Sequence, residues 1–369
     1  MRHTRRWLPL LVVLAMLGAL VTACGGDDDS DDATATSATG NATATTSAGS
    51  DATAEGTMDI TSLTSVTVGY VPVLIFAPVM VAADKGYFAE YGLDVTLEPL
   101  PGGSDMVVLT ANGDFDFGVG GAGPAYFNAV ARGIDLTIIG PAHHEQIPPA
   151  TPLVVSKKRF DSGELTEVAD LAGKKVSVNA RGATEYWLET ALASGGLTIA
   201  DIDLQTLPFG DVAAALESGA LDGAMLGEPL ATRAEQEGLI VRLEADSPVG
   251  FQPTFVWVNP GFAADSPDLV TGFMAGMMRG CRDLLSDDWD SDENLAILET
   301  YTGVPAELSR EAARSYCEPN GEVNLADLET LQTFFAERGL LEYDVMQDVN
   351  TLVDTSFAEQ AVEEIGVAE

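Results

Sequence analysis

The residues best placed to do chemistry in this 369-residue chain lie on glycine-rich turns, not in a cluster of nucleophiles. Gly102-Gly103-Ser104, Gly120-Gly121-Ala122 and Arg181-Gly182-Ala183-Thr184 each join a strand-like segment to a helix-like one. Residues 72–77, with Leu74 and Phe76, make a fourth such turn. Turns without β-carbons let a ligand reach backbone N–H groups, and such groups at a helix start suit an oxygen-rich or anionic group. Arg181 is the only basic side chain on these turns. It can pair with a carboxylate, sulfonate or nitrate, or lie solvated on the surface. Glu228, before Pro229, would favour a cationic or amine-bearing solute, or act as an acid at a helix N-terminus held by the dipole. His143 follows a strand end and is a candidate for a wall of the same site. Phe76, Tyr186 and Trp187 offer rings for stacking, although Trp187 and Leu188 also read as the core face of their helix.

Other chemistries fit less well. Gly118-Val119-Gly120-Gly121-Ala122-Gly123 satisfies the dinucleotide fingerprint and follows a strand. The next strand ends at Ile139-Gly140-Pro141 without the acid that would hold a ribose, and no cofactor is expected. His143 and His144 are adjacent and point apart, and no third histidine follows to complete a zinc set, so no metal is expected. No Ser-His-Asp arrangement or nucleophile elbow is present. The net charge of −39 excludes nucleic acid as a partner, because phosphate binding is driven by Lys and Arg.

The elements that must position these turns alternate at short intervals, the pattern of a largely parallel α/β sheet. Strands are expected at 65–70, 93–99, 115–119 and 136–139, with helices at 77–88, 104–112 and 124–132 between them. A loop with Pro148, Pro149 and Pro152 interrupts the rhythm and reads as a crossover between lobes. Strands at 175–179, 204–207, 222–226 and 240–243 alternate with helices at 184–194, 212–218 and 229–237. Residues 254–258 read as a strand returning to the first lobe. Ser266-Pro267 then opens a helix with a cap and Pro at its first position. Leu269, Phe273, Met274, Met277, Cys281 and Leu284 form its apolar stripe, and the rest of the chain is helical. The expected organisation is therefore lobe 1 over 63–150, lobe 2 over 151–247, and a return strand with C-terminal helices over 248–369.

Ahead of the lobes, Arg2, Arg5 and Arg6 precede an apolar run over 8–20, a signal peptide over 1–23 that is too short for a permanent span. Leu20-Val21-Thr22-Ala23-Cys24 resembles a bacterial lipobox, which makes Cys24 the expected lipidated first residue of the mature chain. Residues 24–62 are rich in Asp, Ala, Thr, Ser and Gly and read as a disordered tether, since they cannot bury enough surface to offset ordering entropy. Cys281 and Cys317 remain. An even count in an oxidising compartment points to a disulfide between neighbouring helices, with two buried free thiols as the alternative.

Val68-Gly69-Tyr70, the run from Ala82 through Lys85-Gly86-Tyr87-Phe88, and Tyr91-Gly92-Leu93-Asp94-Val95 resemble the opening of the SsuA/THI5-like (NMT1-like) solute-binding proteins. The resemblance continues through Gly102-Gly103-Ser104, Asp116-Phe117-Gly118-Val119-Gly120, Leu171-Ala172-Gly173-Lys174-Lys175-Val176, Gly219-Ala220-Leu221-Asp222-Gly223-Ala224 and Gly227-Glu228-Pro229. No single piece is decisive; order and spacing over 66–243 carry it. It implies a type II periplasmic-binding-protein fold, two α/β lobes joined by two crossovers with a helical C-terminal segment and ligand in the cleft. It further implies a monomeric, lipid-anchored, extracytoplasmic binding protein that delivers a small molecule to an ABC permease. The family also includes an enzyme of thiamine-pyrimidine synthesis. That branch carries a cysteine cluster, and this chain has no cysteine between Cys24 and Cys281. Ligands in the family include nitrate, taurine and other sulfonates, thiamine-pyrimidine precursors and riboflavin. Arg181 argues for an anion and Glu228 for a cation or amine, and an aromatic nitrogen heterocycle reconciles the two.

Overall fold

The computed structural model describes residues 63–286 and 288–368. The expected signal peptide, the tether and Cys24 lie outside the described residues.

Ten strands form two five-stranded sheets. In the first, β1 (Thr64–Tyr70), β2 (Leu93–Pro99), β3 (Phe117–Gly121), β4 (Thr137–His143) and β10 (Thr254–Val258) take the order β2-β1-β3-β10-β4. In the second, β5 (Leu153–Ser156), β6 (Lys175–Val178), β7 (Asp203–Thr206), β8 (Gly223–Met225) and β9 (Ile240–Arg242) take the order β7-β6-β8-β5-β9. Each sheet has a single strand antiparallel to its neighbours: β10 against β3 and β4, and β5 against β8 and β9. The chain passes between the sheets twice, over 144–152 and 243–253. These two crossovers are hydrogen-bonded side by side, Glu145 N–H to the Phe251 carbonyl at 2.9 Å and Gly250 N–H to the Glu145 carbonyl at 2.7 Å. This is the fold of the periplasmic binding proteins.

Local departures from the sequence reading have identifiable causes. The strand β5 was hidden by the prolines before it; it starts directly after Pro152, and all four of its residues are buried. The strand expected to end near Ile139 continues to His143. Pro141 is tolerated there because β4 is an edge strand and its register against β10 shifts on both sides of the Phe255–Pro141 pair. The helix expected over 77–88 stops at Asp84, and Gly86 follows with φ 74°. Ser266 precedes the helix Pro267–Leu285, but its hydroxyl accepts no capping bond.

That helix packs its stripe on the first sheet. Phe273 stacks between Phe88 and Phe117, with ring centroids 4.8 and 3.9 Å away. A β-carbon at Gly276 would stand 2.5 Å from the Phe88 ring, so glycine is what lets helix and core approach. Cys281 and Cys317 lie side by side with Cα atoms 5.9 Å apart, within the span a disulfide bridges.

Candidate functional site

The carboxyl ends of β1, β2, β3 and β6 feed the turns singled out above, and these turns meet across the gap between the two sheets. In open α/β sheets this is where ligands are held. The lobes touch through backbone. A β-carbon on Gly121 would come within 2.9 Å of Ala183 and one on Gly123 within 2.8 Å of Gly182, while within the first lobe one on Gly103 would come within 2.8 Å of the Gly121 carbonyl. Gly102 abuts Ala180 across the lobes. Hydrogen bonds then join the lobes: Ser104 Oγ donates to the Arg181 carbonyl (3.2 Å) and Asn179 Nδ2 to that of Pro101 (3.0 Å). Thr184 Oγ1 donates to Asn179 Oδ1 at 2.7 Å. The clamp is shut, and the cavity it keeps is about 30 Å³. Since one water needs roughly 10–15 Å³ of such volume, only a compact group fits.

Three helices start at this seam with glycine caps: Gly103–Asn112 after Gly102, Pro124–Ala131 after Gly123, and Ala183–Ala193 after Gly182. None receives a side-chain capping bond. The first N–H groups of a helix lack intrahelical partners, so uncapped starts converging on one cavity make a site for anions. Arg181 stands at its edge, half-exposed and bonded to Glu185. Glu185 is fully buried and also holds Arg338 at 3.1 Å, which leaves this group one positive charge in excess.

Phe76, Gly103, Ser104, Gly121, Arg181, Gly182 and Thr184 all line the cavity. The other residues singled out from sequence lie elsewhere. Leu74 is buried, its N–H donating to the Glu228 carbonyl and its own carbonyl accepting from Ser315. Ala122 is buried and donates its N–H to Pro253 in the second crossover. Tyr186 faces away, stacked on Phe251 at 4.6 Å and edge-on to Phe334, and burial pushes its hydroxyl pKa up. His143 is fully buried behind Thr254, with Nδ1 3.0 Å from the threonine hydroxyl and Nε2 3.5 Å from Glu145. The neighbouring His144 is pushed down to about 4, first by burial and then by His143.

Glu228 is withdrawn from the cleft altogether. Its carboxylate accepts from Arg242 Nη1 (2.6 Å), Thr232 N–H (3.0 Å) and Thr232 Oγ1 (3.1 Å), with Ala313 N–H at 3.4 Å. The Thr232 bond satisfies a first-turn N–H of the helix Leu230–Gln236, which fits the helix-terminal acid of the two roles open to this residue. A fully buried carboxylate already paired with an arginine has no charge left to attract a cation from the cleft.

Sequence reasoning missed Asn179, Thr254, Tyr126 and Phe209 as cavity walls. Asn179 could have been found as a polar residue closing a strand. Trp187 is both core and wall: it is 3% exposed, lines the cavity, and its Nε1 has no hydrogen-bond partner among the described residues. A buried indole donor left unpaired is uncommon, and Trp257 and Trp289 share the feature without lining the cavity.

With this geometry in hand, comparison with known proteins is direct. The family model described as NMT1/THI5 like matches residues 74–288. The chain is 28% identical over 228 residues to the riboflavin-binding protein RibY of Chloroflexus aurantiacus, an alignment covering 59% of this chain and 61% of that protein. It is 26% identical over 291 residues to the taurine-binding periplasmic protein of Escherichia coli, covering 75% of this chain and 88% of the relative. Among solved structures it resembles the alkanesulfonate-binding protein SsuA from Xanthomonas axonopodis pv. citri bound to MOPS, with TM-score 0.66, 20% identity, and coverage of 79% and 98%. The desulfurization enzyme DSZB shares the fold at TM-score 0.59 and 17% identity, covering 82% of this chain and 99% of its own.

Proposed function

The chain belongs to the NMT1/THI5-like family, and from that premise we propose that it is the solute-binding protein of an ABC importer, closing its two lobes on the compact anionic head of a small organic solute. One observation carries this reading: three glycine-capped helix starts, from both lobes, converge on one small cavity. The withdrawal of Glu228 removes the argument for a cationic ligand. The Arg181–Glu185–Arg338 group adds positive charge at the rim, and Trp187 Nε1 offers a donor. The solute class is that of sulfonates, nitrate and carboxylates. A thermal-shift panel tests it, since a ligand at 100 times its dissociation constant adds about 2.7 kcal/mol to stability. Taurine, methanesulfonate or nitrate should raise the melting temperature. If only amines or neutral heterocycles do so, the anion reading is wrong.

The protein works outside the cytoplasm, held to the membrane through Cys24 and the 24–62 tether, and hands its solute to a permease as a monomer. Support comes from the lipobox-like residues 20–24 and from the relatives' names. Cys24→Ser should leave the precursor unprocessed or released; unchanged membrane fractionation would refute the anchor. Cys281 and Cys317 form a disulfide, whose chain-entropy contribution over a 36-residue separation is about 3–4 kcal/mol. Two thiols titrating in denatured, unreduced protein would refute it. The protein binds without turning its solute over. Product formation from a thiamine-pyrimidine precursor would favour the enzymatic alternative.

A further inference from the structure

Beside the small cavity lies a second, far larger one. Its volume is about 350 Å³, against about 30 Å³ for the first, and the two share Val71 and Phe209 as a common wall. Ordinary small-molecule sites run from roughly 300 to 1,000 Å³, so of these two cavities the outer chamber has the size of a ligand site. Both lobes build it. Pro72, Pro99 and Pro101 come from the first, and Pro208, Phe209 and Arg233 from the second. Proline rings give rigid apolar walls without N–H donors, which suits a flat hydrocarbon or aromatic body.

Arg233 is the feature that mere packing does not explain. It is half-buried, yet its guanidinium makes no ion pair and no side-chain hydrogen bond among the described residues. Every other half-buried cation there is held. Lys85, Lys157, Arg159, Lys174, Arg242, Arg279 and Arg338 pair with carboxylates, and Arg282 with backbone carbonyls. In a chain with 57 acidic residues, an arginine left unpaired on a cavity wall is poised for an anion brought by something else.

We infer that the solute is bipartite: its compact anionic head sits in the inner cleft, its apolar ring-bearing body fills the outer chamber, and a second anionic group on that body pairs with Arg233. The inference rests on the solute-clamp reading and narrows its ligand to amphiphilic dianions. Closure would then press both lobes onto the body, so the chamber adds affinity as the clamp shuts.

Three probes in isothermal titration test it: methanesulfonate for the inner cleft, 2-naphthalenesulfonate for cleft plus chamber, and 2,6-naphthalenedisulfonate for all three contacts. The wild-type protein should bind the disulfonate at least tenfold tighter than the monosulfonate. Arg233→Gln should bind both alike, and Arg233→Lys should recover part of the preference, because it restores charge without the planar fork. Gly210 lines the chamber, and a β-carbon there would meet nothing within 4 Å. Gly210→Trp should therefore exclude both naphthalenes and leave methanesulfonate binding unchanged. A disulfonate preference that survives Arg233→Gln, or its absence from wild type, overturns the inference. Methanesulfonate binding without naphthalene binding overturns the chamber alone and leaves the clamp standing. Failure of all three probes overturns both.

Discussion

Two sets of helix starts in this protein stand in contrast. At the cleft, the helices starting after Gly102, Gly123 and Gly182 have cap residues with no side chain to accept a hydrogen bond, and these are the glycine caps among the described helices. In the C-terminal region, Asn259, Ser291 and Asn324 cap their helices by accepting from Phe262, Asn294 and Ala326 N–H at 3.0, 3.2 and 3.1 Å. A side-chain cap contributes about 1 kcal/mol. The cleft helices go without it, and their free N–H groups remain available to a ligand. Glu228 is an intermediate case, a strand-end carboxylate that fills its own helix start and so removes it from the site. The comparison teaches that stability and binding draw on the same backbone donors, and that the residue at the cap position decides which is served.

The largest effect expected from breaking this division is at the filled helix start. Glu228→Ala should cost about 3 kcal/mol, measured by urea unfolding, because it leaves the Thr232 N–H without its acceptor and strips from Arg242 its buried carboxylate, leaving only Glu235 nearer the surface. The lower end of the range applies because the Arg242 side chain is 26% exposed. A loss below about 1 kcal/mol would mean that the plug is not structural.

Next comes the seam. A β-carbon at Gly121 already reaches Ala183 across the lobes, and Gly121→Leu should therefore hold the clamp open. Solute affinity should fall by about a hundredfold, close to 3 kcal/mol, with the unfolding midpoint little changed. Small-angle scattering should show that the variant no longer compacts with ligand. Compaction as in wild type would contradict the closure geometry.

The most direct exchange between the two kinds of helix start has a smaller effect. Gly182 has room for a side chain, its nearest neighbour across the seam being Gly123 at 3.7 Å. Gly182→Asp should cap the helix Ala183–Ala193, add up to about 1 kcal/mol of stability, and reduce anion affinity at least tenfold. Its mirror image, Ser291→Ala or Asn324→Ala, should lose about 1 kcal/mol and leave affinity untouched. Equal affinity changes in both sets would mean that cap identity has no bearing on binding.

Much of this was legible from sequence. Strand-like and helix-like segments alternate with period and punctuation that few other folds share, and the glycines of Gly102-Gly103 and Gly120-Gly121 mark where backbone must approach backbone. Local signals of this kind survive in sequence because turn geometry and amphipathic spacing are set by residues a few positions apart. The strand β5 was missed, since Pro148, Pro149 and Pro152 before it mark the segment as a crossover.

What the sequence could not decide was where each charged or aromatic side chain points, and there the tertiary structure had the last word. Arg181 and Glu228 looked like competitors for one ligand. One stands at the cleft edge, and the other is buried by Arg242, fourteen positions on, and approached by Ala313, eighty-five positions on. His143 was carried behind Thr254 by a strand that ran four residues further than expected, and Tyr186 was turned outward by Phe251 and Phe334. The physical reason is common to all of them: periodicity fixes which residues share a face, but a polar group is buried only where partners distant in the chain satisfy it, and only the assembled fold brings those partners together.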